Sequence, residues 1–268
     1  QAQQLSGAQG LVEQYSIKFI RRMKINPAQV RKALDDLKEG FTRRNVWMRL
    51  SWFTVREKYR RSVLGPFWIT LSTLVMVLTF GVLYGSLMGE DLAEHLPYVA
   101  CCMVIWVFYS ECLIQGCRNY IANARMIQEL PLPLSIHLFN FMSKELISFS
   151  HNFLIIVFIF LIFLREVDAG SLLFIPALLL ITINALAMAM ILSVISVRYR
   201  DVPMFLQSVM RPLMFLTPVI WNAANRPGRA FYVDLNPFYH IVEIFRRPLL
   251  GGMPTLTNWV VVIVLTLV

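Results

Sequence analysis

The sequence has few charged residues and contains none of the common motifs that bind nucleotides or activate a nucleophile. Charged residues make up 15% of its 268 residues and hydrophobic residues 57%, a balance that soluble domains rarely show. The Gly-rich phosphate loop, the G-x-S-x-G elbow, the H-E-x-x-H zinc motif and the Gly-rich dinucleotide turn are all missing. We therefore expect a non-enzymatic membrane protein with no cofactor or metal of its own.

Paired cysteines and intramembrane acids are also scarce. The four cysteines lie in or beside one apolar segment and form no C-x-x-C pair: Cys101, Cys102, Cys112 and Cys117. We expect them to be buried thiols that pack as small apolar groups. Within the predicted spans Glu111 is essentially the one acid, which disfavours a carrier coupled to protons or sodium.

Asn45 begins a basic, two-faced helix that leads into the first apolar run. One helical face carries aromatic and aliphatic side chains: Trp52, Val55, Tyr59 and Val63. Cations repeat on another face: Arg49, Arg56 and Arg60. A helix with this pattern lies flat in the headgroup layer, with its cations toward phosphate. Gly65 and Pro66 then turn the chain into an uncharged run to Met88, longer than the roughly 20 residues that cross a bilayer.

Positive charge is concentrated on the N-terminal side of the chain. Fourteen of the 25 Lys and Arg residues precede Gly65, whereas the loops at 89–95 and 165–168 are acidic overall. This asymmetry is typical of a cytoplasmic N-terminal region under the positive-inside rule. The net charge of +9 leaves a nucleic-acid-binding arm as an alternative, which the membrane pattern disfavours.

Six apolar runs predict an all-α integral membrane domain with both ends in the cytoplasm. The predicted spans are residues 66–88, 96–116, 146–164, 171–197, 203–221 and 255–268. Residues 222–254 are too polar to cross the membrane and too apolar to lie fully in water. This indicates a re-entrant or interfacial segment before the last span. The last run gives about 21 Å of helix, so we expect the sequence to stop inside a sixth span.

Residues 1–44 are predicted to form a cytoplasmic helical extension, and residues 45–268 the six-span domain. Asn26 and Pro27 predict a helix start, since asparagine caps helices and proline suits the first helical position. The apolar stripe of this helix needs a neighbouring surface and consists of Val30, Leu34, Leu37 and Phe41.

The connection between the second and third spans is predicted to be cytoplasmic and to run from Cys117 to Lys144. Residues 123–133 within it predict a short helix that two prolines stop. We expect Glu111 either to pair with Arg118 or to lie at the cytoplasmic interface. His151 and Asn152, in the third span, are expected to make hydrogen bonds between helices.

Four separated motifs resemble the permease subunits of polysaccharide ABC exporters, the family that moves O-antigen, teichoic acid and galactan chains. The motifs are KYRRSVLGPFW at 58–68, NARMIQELP at 123–131, VRYRDV at 197–202, and TPVIW at 217–221 followed by LNPF at 235–238. They occur in the family's order, and the resemblance covers about residues 45–268.

The resemblance implies a homodimer that binds two copies of a separate ATPase subunit, which would hold ATP and Mg²⁺. The substrate would be a lipid-linked polysaccharide that passes between the two permease copies. The protein would lie in the cytoplasmic (inner) membrane, in contact with membrane lipid and not with nucleic acid.

The resemblance also implies roles for particular residues. The helix that couples to the ATPase would carry Asn123, Arg125, Gln128, Glu129 and Pro131. The interface helix, at lipid or carrier phosphates, would carry Arg49, Arg56, Lys58, Arg60 and Arg61. Candidates for the glycan path are Trp68, Trp106, Tyr109, Arg211, Phe215, Trp221, Phe238 and Tyr239.

Plainer roles remain open for these residues. The plainer role for the interface arginines is to anchor the helix to lipid. Arg211 can form a structural pair, and the aromatic residues can form interfacial belts. A drug- or lipid-exporting permease of the same architecture is the main alternative function. A membrane-embedded glycosyl or acyl transferase is a weaker one, because His95, His137, His151 and His240 scatter over different faces.

Overall fold

The computed structural model describes residues 27–58, 60, 62, 65, 67–222 and 230–267. In this part of the chain every element of regular secondary structure is helical, so the all-α prediction is confirmed there. A 3-10 turn at Ala169–Leu173 leads into the helix after it. Numbered in chain order, the α-helices are α1 Pro27–Thr42, α2 Arg44–Lys58, α3 Phe67–Met88, α4 Leu92–Ala122, α5 Ala124–Glu129, α6 Leu134–Ile162, α7 Phe174–Arg198, α8 Val202–Leu216, α9 Ala230–Asp234, α10 Pro237–Leu249 and α11 Leu256–Leu267.

Within the described ranges, four helical segments are long and apolar enough to cross a membrane: Phe67–Met88, Leu92–Ala122, Leu134–Ile162 and Ala169–Arg198. They overlap the first four predicted spans. The fifth and sixth predicted spans form the shorter helices α8 and α11, of 15 and 12 residues. At 1.5 Å per residue these reach roughly 22 and 18 Å. The six-span count and the re-entrant segment therefore stay predictions.

The helices that hold the second and third predicted spans continue further into the loop that joins them than predicted. α4 continues to Ala122 and α6 begins at Leu134, so only residues 123–133 remain of the predicted connection. Arg118 and Lys144 line a cavity between helices. A charged side chain that faces a cavity is tolerated inside a membrane helix, and it therefore does not mark where the helix ends. The short helix predicted within the connection is confirmed as α5.

α4 is the central helix of the bundle and the most deeply buried. It packs against α3, α6, α7, α8 and α10. All four cysteines lie on it, buried and unbridged, which confirms the prediction of buried thiols. A Cβ on Gly116 would lie 2.7 Å from the Cβ of Ala189. Glycine therefore permits the close approach of α4 and α7.

The two ends of the bundle differ in charge. The basic end carries α1, α2 and the loop 123–133, and the acidic end carries the loops 89–91 and 163–168. Successive long helices joined by these short loops run between the two ends in opposite directions. Gly65, at the corner between α2 and α3, has a φ of 56°, a conformation that favours glycine.

At the basic end, α1 and α2 pack against the start of α6. The helix predicted from Pro27 is confirmed, but most of its apolar stripe is uncovered. Val30, Leu34 and Phe41 are 42%, 59% and 66% exposed. Residues 1–26 of the predicted extension lie outside the described residues, as do five positions of the predicted interface segment: Tyr59, Arg61, Val63, Leu64 and Pro66.

Candidate functional site

A cavity of about 940 Å³ lies among α2, α3, α4, α6 and α8. We call it the central cavity. Along α4 its lining runs from Met103 to Asn123, which spans roughly 30 Å at 1.5 Å per residue. The cavity is therefore elongated and extends inward from the basic end of the bundle. Val55 of α2, predicted to belong to the helix's apolar membrane face, lines this cavity.

The charged lining of the central cavity consists of three cations and two acids: Arg118, Lys144, Arg211, Glu111 and Glu145. Glu111 and Arg118 do not pair with each other. Glu111 Oε2 accepts from Gln115 Nε2 at 3.1 Å, and Arg118 Nη2 donates to Gln207 Oε1 at 3.3 Å. Arg211 makes no hydrogen bond or ion pair to the described residues, so structural pairing, one of the two roles considered for it, is not seen there.

Two asparagines of the central cavity carry polar atoms without a protein partner. Asn119 and Asn152 are only 4% and 2% exposed, yet Asn119 Nδ2 and Asn152 Oδ1 have no hydrogen-bond partner in the described part of the chain. A buried polar atom without a partner costs about 1–3 kcal/mol. Both residues line the central cavity, but the two atoms themselves are covered by protein. Atoms of the same kind lie outside the cavity lining as well, among them His95 Nε2 and Asn140 Oδ1.

The inter-helix hydrogen bonds predicted for the third span are not made as expected. His151 Nδ1 donates to the carbonyl of Ile147 at 2.8 Å, within its own helix. Asn152 Oδ1 stays without a protein partner. Single polar residues in an apolar run do not reveal whether they face a neighbouring helix or a cavity, and that difference decides their role here.

The eight candidate glycan-path residues divide into three groups. Trp106, Arg211 and Phe215 line the central cavity. Tyr109 and Phe238 pack next to Trp106: the Phe238 ring lies 5.6 Å from the Trp106 ring and 5.9 Å from the Tyr109 ring. The remaining three do not line the cavity: Trp68, Trp221 and Tyr239.

Tyr109 has a structural contact that sequence patterns did not reveal. Its hydroxyl donates to Asn184 Oδ1 at 2.6 Å, and Asn184 Nδ2 donates to Thr266 Oγ1 at 3.1 Å. This buried chain of bonds ties α4 to α7 and α11. Trp221 is likewise tied back to the protein, because its indole nitrogen donates to the carbonyl of Phe215 at 3.0 Å.

The predicted coupling residues lie together at the basic end. Arg125 Nε lies 2.7 Å from Glu129 Oε1, and both side chains are exposed. Gln128 and Pro131 are exposed as well. Asn123 is half-buried, and its Nδ2 donates to the carbonyl of Asn119 at 2.7 Å, which anchors α5 to the end of α4.

The cations of the predicted interface helix are exposed where the structure describes them. Arg49, Arg56 and Arg60 project from the surface at the basic end. The side chains of Lys58 and Arg61 lie outside the described residues. Trp52, on the predicted apolar face, is 63% exposed, as a residue that faces lipid would be.

The acidic end holds a buried charge cluster that sequence reasoning did not identify. Glu243 and Arg246 form an ion pair with side chains only 1% and 8% exposed, and Arg247 Nε lies 2.5 Å from the other oxygen of Glu243. The Arg246 guanidinium also lies 4.2 Å above the ring of Tyr98. The spacing of three and four residues was a signal for these pairs, but it did not predict their burial.

Metal binding has no support from the side chains of the described ranges. No group of three or more histidine, cysteine, aspartate or glutamate residues there could hold a metal ion. His95 contacts Glu90 at 2.6 Å, whereas His240 contacts Asn258 at 2.8 Å. These are separate pairs. His95 does share a second cavity, of about 320 Å³, with the acids Glu90, Asp91 and Glu94.

The long apolar helices are typical of a multi-pass membrane protein, and an elongated cavity lies among three of them. The sequence profile described as ABC-2 type transporter matches residues 45–250. Because this match covers most of the chain, the protein belongs to the ABC-2 type transporter family. It is thus an ABC transporter permease, a membrane component whose family implies an ATPase partner. No curated protein matches the chain significantly.

Proposed function

We propose that this permease exports a lipid-linked polysaccharide across the cytoplasmic membrane, as a homodimer driven by two separate ATPase subunits. The four sequence motifs at 58–68, 123–131, 197–202 and 217–238 support the polysaccharide branch of ABC permeases. The face of α3 that α4 does not cover is apolar and exposed, and it offers a surface for a second copy or for lipid.

The observation that carries the proposal is the set of amide and hydroxyl side chains among the lining of the central cavity. A glycan presents many hydroxyl groups, each of which both donates and accepts hydrogen bonds. Asn119 and Asn152 are among the lining residues, and an asparagine amide can both donate to and accept from such hydroxyls. Trp106, in the same lining, presents an aromatic surface to a sugar ring.

The exposed helix α5 is the proposed contact for the ATPase. Arg125 and Glu129 pair on its surface, where a partner protein reaches both. The cations Arg49, Arg56 and Arg60 lie at the same end of the bundle, where we propose that they contact phosphates of lipid or of the lipid carrier. Movement of the ATPase would then reach α3 through the corner at Gly65.

A drug- or lipid-exporting permease is the alternative, and the same cavity offers an observation in its favour. Four methionines line it: Met76, Met103, Met210 and Met214. Methionine side chains adapt to ligands of varied shape, which suits amphipathic small molecules. The polar amides favour a glycan, and the methionines favour an apolar substrate.

Deletion of the chain in its own cell, followed by complementation, separates the two functions. If the substrate is a lipid-linked polysaccharide, deletion causes polymer on its lipid carrier to accumulate inside the cell, and wild-type chain restores export. Asn152→Leu would restore it only in part. Normal export in the deletion strain, together with raised sensitivity to amphipathic drugs, would contradict the polysaccharide function.

A further inference from the structure

Helix α1 is joined to the start of α6 by hydrogen bonds across 98 residues of sequence. The carboxylate of Asp36 accepts from the backbone N–H of Leu134 at 2.9 Å and from that of Ser135 at 3.0 Å. The Ser135 hydroxyl donates to the backbone carbonyl of Asp36 at 2.7 Å. One residue of α1 thus makes three hydrogen bonds to the first turn of α6.

Asp36 supplies a cap that α6 lacks locally. Pro133, the residue before α6, makes no side-chain capping bond. The first N–H groups of any helix have no partner within the helix. Asp36 satisfies two of them, and its negative charge lies at the positive end of the helix dipole.

Close packing reinforces this contact. A Cβ on Gly40 would lie 2.1 Å from Ser135 Oγ, so only glycine lets the two backbones approach this closely. The indole nitrogen of Trp47 donates to the Gly40 carbonyl at 3.2 Å. The rings of Phe41 and Trp47 lie 6.1 and 5.8 Å from the ring of Phe139. The corner between α1 and α2 therefore packs closely against the first two turns of α6.

The link between α6 and the exposed helix α5 is short and stiff. It consists of residues 130–133, and Pro131 and Pro133 restrict its backbone. The Leu132 N–H also bonds to the Leu130 carbonyl at 2.8 Å. The position of the first turn of α6 therefore fixes the position of α5.

We propose that Asp36 is a positioning residue, through which α1 holds α5 in place for the ATPase subunit. This inference rests on the proposed contact between α5 and the ATPase. It gives a role to a helix that precedes the family match, which begins at residue 45. In this role α1 holds α5 and the link at 130–133 in a fixed position.

The test uses the full chain in complex with its ATPase and compares Asp36→Ala with Asp35→Ala. Asp35 is the matched control, because it is exposed and makes no hydrogen bond to the described residues. In Asp36→Ala we expect hydrogen exchange at the Leu134 and Ser135 amides to be about fivefold to tenfold faster, the usual effect of a lost cap. Substrate moved per ATP hydrolysed should fall severalfold while the ATPase stays bound.

Asp36→Asn keeps one acceptor oxygen, and we expect it to recover part of the lost transport per ATP. Should Asp36→Ala fail to fold, the same measurements are made on Asp36→Asn, with Asp35→Asn as its control. Faster amide exchange with unchanged transport per ATP would overturn the proposal and leave Asp36 a purely structural cap. If Arg125→Ala changes neither the binding of the ATPase nor the transport per ATP, the proposed contact between α5 and the ATPase is itself wrong.

Discussion

The Glu243 charge cluster at the acidic end and the lining of the central cavity treat buried polar groups in opposite ways. At the acidic end Glu243 is paired with two arginines, and Arg246 also covers the ring of Tyr98. In the central cavity Asn119 and Asn152 keep polar atoms without a protein partner. A satisfied buried network stabilises one arrangement, whereas an unpartnered buried atom contributes no bond to it. We therefore expect the cluster residues to hold the fold and the two asparagines to tolerate the loss of their unpartnered atoms.

Breaking the acidic-end cluster should produce the largest loss of stability. Glu243→Leu leaves Arg246 buried without its carboxylate, which typically costs about 3–5 kcal/mol. We expect little folded protein and a strongly lowered melting temperature in detergent, measured by fluorescence-detected size exclusion.

Two variants control this experiment. Glu166→Leu, in an exposed loop, should melt like wild type. The double variant Glu243→Leu with Arg246→Met removes both charges and should recover much of the loss. If the double variant is no more stable than Glu243→Leu, the ion pair is not what holds α10 in place.

A larger side chain should lower the stability of the protein when it is placed in the packed core but not when it is placed in the central cavity. Gly116→Leu forces a side chain against Ala189, and overpacking of this kind costs typically about 1–3 kcal/mol. Ser148→Leu places the same side chain in the cavity lining, so it should melt near wild type and obstruct transport. Equal losses of melting temperature would show that the cavity is closed in solution.

Removing an amide should have opposite effects at two asparagines. Asn184→Leu leaves the buried Tyr109 hydroxyl without its acceptor, a loss of about 1–3 kcal/mol. Asn152→Leu removes an atom that has no protein partner, so stability should hold or rise while transport falls severalfold. Melting curves and transport rates in vesicles measure both effects. A large stability loss in Asn152→Leu would place it with the structural residues.

The exposed pair on α5 should have the smallest effect on stability. Pairs as exposed as Arg125 and Glu129 contribute about 0.5 kcal/mol or less. Arg125→Ala and Glu129→Ala should therefore melt like wild type but lose transport per ATP, measured with the ATPase present. Arg43→Ala, which removes another exposed pair at spacing four, is the control and should keep its coupling.

Sequence patterns predicted what depends on local order. The basic helix α2, the first four spans, the short helix α5 and the buried cysteines all follow from periodicity, apolar length or proline position. The connection predicted from Cys117 to Lys144 was too long, because charge in the sequence does not reveal whether it faces water or a cavity.

Contacts between distant residues were beyond prediction from a single sequence. Asp36 caps a helix 98 residues away, and no local signal connects the two. Glu243 and Arg246 have the spacing of an ordinary exposed helix pair, and only the packing of α10 against α4 and α7 buries them. The unpartnered atom of Asn152 likewise depends on which helices surround it.

Site-specific photocrosslinking tests most directly whether the central cavity holds the exported substrate. A photoreactive amino acid replaces Ser148, in the cavity lining, or Val157, on the exposed outer surface of the same helix. Cells that make the lipid-linked polysaccharide are then irradiated, and adducts are detected with a glycan-specific lectin. The account predicts a glycan adduct from position 148 and none from position 157. An adduct from position 157 alone would contradict it.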